Sequence, residues 1–248
     1  MGGAVRPAWK LDGDYTVFTT VRDGGVSAAP FASLNLAAHV GDNPEAVAVN
    51  RRTLSGLVGG CEISWLDQVH GNTVVEPGGP DLPQADGYYL NQQGIACAVL
   101  TADCLPVVLA SDHGDEIAVL HAGWRGLLSD IIHTGVKRFS AKEQDLQAWL
   151  GPAIGPQSFE VGEDVFFEYK TQWSGFANER EINQAFVPLG GGKYLCDLYR
   201  LARLRLLAIG ITRICGGEHC TFQDRKRFFS YRRDGATGRM ATVVRIND

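Results

Sequence analysis

Between residues 95 and 126 the chain alternates short apolar runs with polar turns. IACAVL (95–100), LPVVLA (105–110) and EIAVLH (116–121) are separated by TADC and SDHGD and end in AGWRG. Each run has strand length, and two short turns in succession predict an antiparallel meander. Similar runs predict strands at 15–20, 63–69, 146–150, 211–215 and 239–246. Helical spacing appears in three places. Asn43 can cap, and Pro44 can open, a helix running to about Val58. After His121, residues Trp124, Leu127, Leu128, Ile131, Ile132, Val136 and Phe139 fall on one helical face. Asp197 is a cap for a third helix reaching Ile209, with Gly210 as its stop. This mixture predicts an α/β (α+β) fold, with mixed β-sheets packed as a sandwich and helices outside them. The loop-like stretches 75–87 and 187–193 are too short to serve as interdomain linkers, so residues 1–248 are expected to form a single domain.

Composition narrows the function classes. The formal net charge of −5 disfavours a general nucleic-acid binder, which needs a basic face. No apolar run approaches the roughly 20 residues of a membrane span. The first fifteen residues show no apolar signal core, and none of the six cysteines forms a C-x-x-C pair. A cytoplasmic protein with reduced thiols is the expectation.

The chemistry concentrates at His70, Cys104 and His121. Each ends or follows a predicted strand, where a polar group can be aimed out of a packed sheet. Two imidazoles and a thiolate form a three-ligand zinc set with one open position, the pattern of a catalytic site. Taken singly, each also fits a packed side chain, and their gaps match no finger spacing. The shared context beside Gly, Asp or Trp favours a site. Asp67 and Gln68 in DQVHGN could orient an imidazole. Asp103 in TADC is either a turn residue or a proton carrier beside an activated thiol, and Arg125 in HAGWRG adds positive charge at a helix entrance. His219 and Cys220 are adjacent and on an extended chain would face opposite ways, so they are not expected to share an ion. The arginines of NRR (50–52) and SYRRDG (230–235) suit either a solvated face or an anion pocket. No deaminase H-x-E…P-C-x-x-C, H-E-x-x-H, G-x-S-x-G or Walker motif occurs.

The segments FASLNLAAHVGDN, WLDQVHGNTV, QADGYYL, TADCLPVVL, VLHAGWRGLL, WLGPAIGPQSFEVG and GGEHCTFQDRKRFFSYRRDGATGR closely resemble the YfiH family. That family is also called the laccase-domain or multicopper polyphenol oxidoreductase family, and the resemblance covers about residues 15–245. It implies an α/β fold of mixed sheets and flanking helices, like the catalytic domain of cytotoxic necrotizing factor toxins, which use a Cys–His pair. It implies a zinc site at His70, Cys104 and His121. It implies a purine nucleoside phosphorylase acting on adenosine, inosine and methylthioadenosine, with adenosine deaminase activity. The partners would then be a purine nucleoside and phosphate, with no nucleic acid and no membrane. Asn35, His39, Arg51 and Arg125 are carried over as substrate or phosphate contacts. Cys104, His121 and Asp103 are the catalytic candidates, with Glu160 and Glu163 as further proton carriers. Two other chemistries stay open: a metal-free Cys104–His121 hydrolase or amidase on peptidoglycan precursors, and copper in place of zinc, giving a polyphenol oxidase or laccase. A four-copper oxidase needs many histidines in paired motifs, whereas this chain has six, with no H-x-H. A non-enzymatic binding protein, with the trio as packing, is the remaining reading.

Overall fold

The computed structural model describes residues 4–247 except 10, 12, 80 and 81. The central apolar runs form β5 (Ile95–Thr101), β6 (Leu105–Ser111) and β7 (Ile117–Ala122). Their apolar residues are continuous rather than alternating because both faces of each strand are covered. Cys97 and Val99 of β5 face one core, while Ala96, Ala98 and Leu100 face another. In β6, Val108 and Ala110 share the first core with β5, and Val107 and Leu109 belong to a third.

Two sheets meet across that shared core. One has the order β1 (Tyr15–Thr19), β13 (Met240–Ile246), β5, β2 (Glu62–Ser64). The other runs β12 (Arg213–Gly216), β8 (Leu146–Leu150), β6, β7, β4 (Gly87–Leu90), β3 (Val74–Val75). The β2–β5, β12–β8 and β3–β4 pairs are parallel and the rest antiparallel, so both sheets are mixed. Helix α1 (Pro44–Leu57) covers the outer face of the four-stranded sheet through Leu54. Helices α2 (Trp124–Leu128), α3 (Ile131–Val136) and α6 (Leu198–Ile209) cover the outer face of the six-stranded one. A small third sheet joins β10 (Phe186–Gly190), β11 (Lys193–Cys196) and β9 (Glu160–Gly162). It lies in sequence beside α4 (Glu163–Gln172) and α5 (Glu179–Asn183), and α7 (Tyr231–Asp234) precedes β13. This is the expected mixed α/β sandwich with flanking helices.

Three expectations change in detail. The meander breaks at its first turn: β6 pairs with β7, but β5 pairs with β13 and β2. The turn 102–104 therefore carries the chain from one sheet to the other, through a left-handed Asp103 at φ 98°. The strand expected over 63–69 stops at Ser64. Beyond it the side-chain amide of Gln68 bonds both backbone groups of Leu100, donating to its carbonyl at 2.9 Å and accepting its N–H at 2.7 Å. A side chain thus substitutes for the missing strand. The long helix after His121 is two helices, broken at Asp130, which sits at φ 70°. Arg205 holds that break with two 2.6 Å bonds to the Asp130 carboxylate. The predicted apolar face survives the break, since Leu127, Leu128, Ile131, Ile132 and Val136 all enter one core. The caps form as predicted: Asn43 accepts from Glu45 N–H at 2.8 Å, Asp197 accepts from Arg200 N–H at 2.9 Å, and Gly210 stops α6 at φ 104°.

Candidate metal centre

Asp86 organises the site, although no sequence argument singled it out. It lies just before β4 and is fully buried. Its carboxylate accepts the backbone N–H groups of Val69 at 3.3 Å, His70 at 2.9 Å and Gly71 at 2.7 Å. These bonds pin the turn that holds His70 at a positive φ of 61°. The same carboxylate meets His121 Nδ1 at 2.8 Å, and the Asp86 carbonyl accepts the His121 N–H at 2.7 Å. With Nδ1 engaged, Nε2 is the His121 nitrogen left for an ion, the usual carboxylate–histidine arrangement beneath a metal.

His121 therefore comes from the end of β7, Cys104 from the crossing between the sheets, and His70 from an Asp86-braced turn. Their donor atoms all lie within 4.8 Å of one another, the one such grouping of possible ligands among the described residues. The two imidazole rings meet edge-on, 4.8 Å between centroids. Zinc bonds of about 2.0–2.3 Å put tetrahedral donors about 3.5 Å apart, so the trio fits an ion once its widest separation closes. His70, the exposed member, is the side chain with room to do so. Gly123 makes the approach possible, because a Cβ there would stand 2.9 Å from Cys104 Sγ.

The charges cooperate. Burial alone would raise the Cys104 thiol, but the His121 charge and hydrogen bonds from both imidazoles outweigh it and bring it down to about 6. Burial would lower His121, yet the Cys104 thiolate and the Asp86 carboxylate raise it to about 9. Asp86 is held below the usual carboxylate range: burial opposes this, and the His121 and backbone hydrogen bonds prevail.

Two cavities flank the trio and share His70, Ala102, Cys104 and Tyr231. The larger, about 440 Å³, adds His39, Gln68, Thr101 and Arg239. The smaller, about 240 Å³, adds Trp124, Arg125, Phe159, Leu198 and Arg232. His39 and Arg125 therefore line different cavities beside the trio, the Arg125 guanidinium lying 4.2 Å over the Trp124 ring. Two carried-over contacts do not line these cavities. Asn35 is fully buried and braces a loop through Ala37, Asp42 and the Arg239 N–H. Arg51 donates to the Leu36 carbonyl at 2.9 Å and stacks 4.0 Å over Trp65. Asp103 faces the smaller cavity, but its carboxylate accepts from Thr221 Oγ1 at 2.6 Å and Arg232 N–H at 2.7 Å, which makes it a brace of the Cys104 turn. Glu160 and Glu163 are exposed and line neither cavity. Arg239, Tyr231 and Thr101 are among the cavity residues that sequence reasoning passed over. For Tyr231 the signal was the arginine-rich stretch SYRRDG, which suits a solvated face as well as an anion pocket; Arg239 lies just beyond it.

The family described as Multi-copper polyphenol oxidoreductase laccase matches residues 16–247. A protein named purine nucleoside phosphorylase in Pseudomonas aeruginosa is 45% identical over 100% of both chains. Purine nucleoside phosphorylase YfiH of Escherichia coli (strain K12) is 42% identical, covering 98% of this chain and 99% of that one. The crystal structure of a Neisseria meningitidis protein superposes with a TM-score of 0.92 at 42% identity, covering 99% of each chain. The fold and near-complete alignments agree, and the chain belongs to the YfiH family of laccase-domain proteins.

Proposed function

We propose that the whole chain, residues 1–248, works as one zinc-dependent purine nucleoside phosphorylase. Its substrates are adenosine, inosine and methylthioadenosine, and adenosine deamination accompanies phosphorolysis. One observation carries the metal reading: His70, Cys104 and His121 converge at the boundary of two cavities, with His121 fixed by a buried carboxylate. The names of full-length relatives support the choice of reaction.

The donor set suits zinc, with a thiolate available near neutrality and one His nitrogen committed to a carboxylate. Bound there, zinc would supply Lewis acidity to a substrate oxygen or to an attacking water. The protein's own part is geometric. Asp86 sets the ring of His121 and the turn of His70, Gly123 clears the Cys104 sulfur, and the two adjoining cavities offer room for nucleoside and phosphate. Copper oxidation is less well supported: a blue-copper centre of this type normally adds a weak axial Met, though Gln or a backbone oxygen can take that place. The Met240 sulfur accepts the Phe229 N–H at 3.1 Å inside the core.

The test is incubation of zinc-replete protein with inosine and phosphate. Hypoxanthine and ribose 1-phosphate should appear together, should vanish without phosphate or after chelation, and should return with added zinc. No product from zinc-replete protein on inosine, adenosine or methylthioadenosine removes the reading. A second reading rests on the same contacts seen as nucleophile, base and orienter: Cys104, His121 and Asp86 also form a Cys–His hydrolase constellation. An amidase of that kind, acting on peptidoglycan precursors, would keep its activity after chelation.

A further inference from the structure

Among the described residues, five arginines sit within ion-pair distance of a carboxylate. Arg138, Arg205, Arg213, Arg227 and Arg233 pair with Glu76, Asp130, Asp112, Asp224 and Asp234. Arg239 does not. It is half-buried and lines the larger cavity beside the trio. It uses Nη1 alone, donating to the carbonyls of Thr237 at 2.8 Å and Gly238 at 3.1 Å. Among the described residues no carboxylate lies within ion-pair distance of it, and its Nε and Nη2 make no hydrogen bond. Burial disfavours the guanidinium charge, and Cys104 and Asp103 offset this only at longer range, with no ion pair; a planar fork with two free donors matches an oxyanion.

Two neighbours fit the same role. His39 lines this cavity too; partial burial and then the Arg239 charge hold its imidazole below the ordinary value. Thr101 lies at the edge of β5, in register with Met240, so the sheet sets it next to Arg239. Thr101 is buried, lines the cavity, and its hydroxyl has no hydrogen-bond partner among the described residues. The other arginines near the trio are less suited. Arg125 and Arg232 are exposed, Arg125 lies over Trp124, and Arg232 donates through Nη1 to the Glu160 carbonyl at 2.7 Å.

We infer that Arg239, with His39 and Thr101, forms the inorganic-phosphate subsite on the larger-cavity side of the trio. This rests on the phosphorylase reading. In that reaction a phosphate oxygen bonds to ribose C1′ while the C1′–N9 bond breaks. The bonding pair leaves on the purine, which takes up a proton and departs as the free base. The incoming phosphate and the departing base must lie on opposite faces of the sugar. Phosphate on Arg239 leaves the smaller cavity, walled by Trp124, Ile154, Phe159 and Leu198, for the flat base. Arg239 is then a phosphate-binding residue.

The experiment uses zinc-loaded wild type, Arg239→Gln, Arg239→Lys and Arg125→Gln. Inorganic phosphate binding is measured by calorimetry, and KM values for phosphate and inosine by steady-state kinetics. Arg239→Gln should weaken phosphate binding and raise the phosphate KM about tenfold or more, as loss of a charge-assisted fork does, with the inosine KM changed less than about threefold. Arg239→Lys should recover part of the loss. Unchanged phosphate affinity in both Arg239 variants overturns the assignment. So does a parallel rise in both KM values, or the loss appearing in Arg125→Gln instead. If wild type turns over no nucleoside but binds phosphate, and Arg239→Gln does not, the subsite stands and only the phosphorylase reading falls.

Discussion

Asp86 shows how one side chain can set a site without touching its ligand. It is fully buried and joins two of the three candidate donors, through the His70 backbone and the His121 ring. Asp86→Ala should lower zinc affinity about 10- to 100-fold, the usual effect of removing a carboxylate behind a ligating His. It should also cost stability by about 2–4 kcal/mol, because three backbone N–H groups and the buried His121 ring lose their shared acceptor. Competition against a chromophoric chelator and thermal unfolding check the two effects, and unchanged zinc affinity in a folded variant would refute the role. The sequence could not reveal Asp86, because its partners lie 16 and 35 positions away and QADG reads as an ordinary turn. The candidate donors were legible for the opposite reason: His and Cys beside predicted strand ends carry their chemistry in their identity. A second expectation concerns the metal-free protein. Cys104 should ionise near 6, being a thiol below that pH and a thiolate above it, and His121 should stay protonated up to about 9. Alkylation rate against pH, taken as wild type minus Cys104→Ser, should rise through a midpoint near 6. In His121→Ala the midpoint should move up toward the ordinary cysteine value of about 8.5. A midpoint already at that ordinary value in the metal-free wild type would count against the thiolate–imidazolium pair.

At the level of elements, the site depends on interruptions. Cys104 is positioned because β5 leaves one sheet and β6 enters another, and His70 because β2 ends early. Helix α2 starts close behind the sulfur, since Gly123 caps it without a side chain. Gly123 has φ −62°, so alanine suits its backbone, and only space argues against it. Gly123→Ala places a carbon 2.9 Å from Cys104 Sγ and 3.6 Å from the His70 ring. Zinc content should fall well below one per chain while the circular dichroism spectrum stays that of wild type. Full zinc occupancy in this variant would show that the crowding is relieved elsewhere. Strands β5, β6, β7, β8 and β13 were readable because both faces are buried and their apolar runs are uninterrupted, whereas the short β3 and β4, which flank the loop-like 75–87 stretch, were not. The small third sheet was not readable. Residues Val187 to Gly190 of β10 are exposed, and β9 has only three residues, so no burial pattern marks either strand. The helix break at Asp130 was equally hidden, because a bidentate bond from Arg205, 75 positions away, holds it.

Across the whole molecule, three cores stack as layers: helices on the six-stranded sheet, the shared centre of the sandwich, and α1 on the four-stranded sheet. The apolar runs announce such layers, but nothing in them says which strand joins which sheet, so the crossing that presents Cys104 had to come from tertiary structure. None of the three cores is built from His70, Cys104 or His121. A metal bound there would tie together three segments that are already placed by packing, unlike a zinc finger, where the ion replaces a core. Stripping zinc should leave the fold intact and lower only its margin. Zinc held at 100 times its dissociation constant adds about 2.7 kcal/mol to the folded state. In a domain of this size, about 2–4 °C of melting temperature accompanies each kcal/mol, so chelation should lower the midpoint by about 5–10 °C. The far-ultraviolet circular dichroism of the metal-free protein at 25 °C should overlay that of the zinc form. Collapse of that spectrum on chelation would mean that the trio organises the fold rather than resting on it. A midpoint indifferent to zinc would mean that the three donors do not grip an ion together.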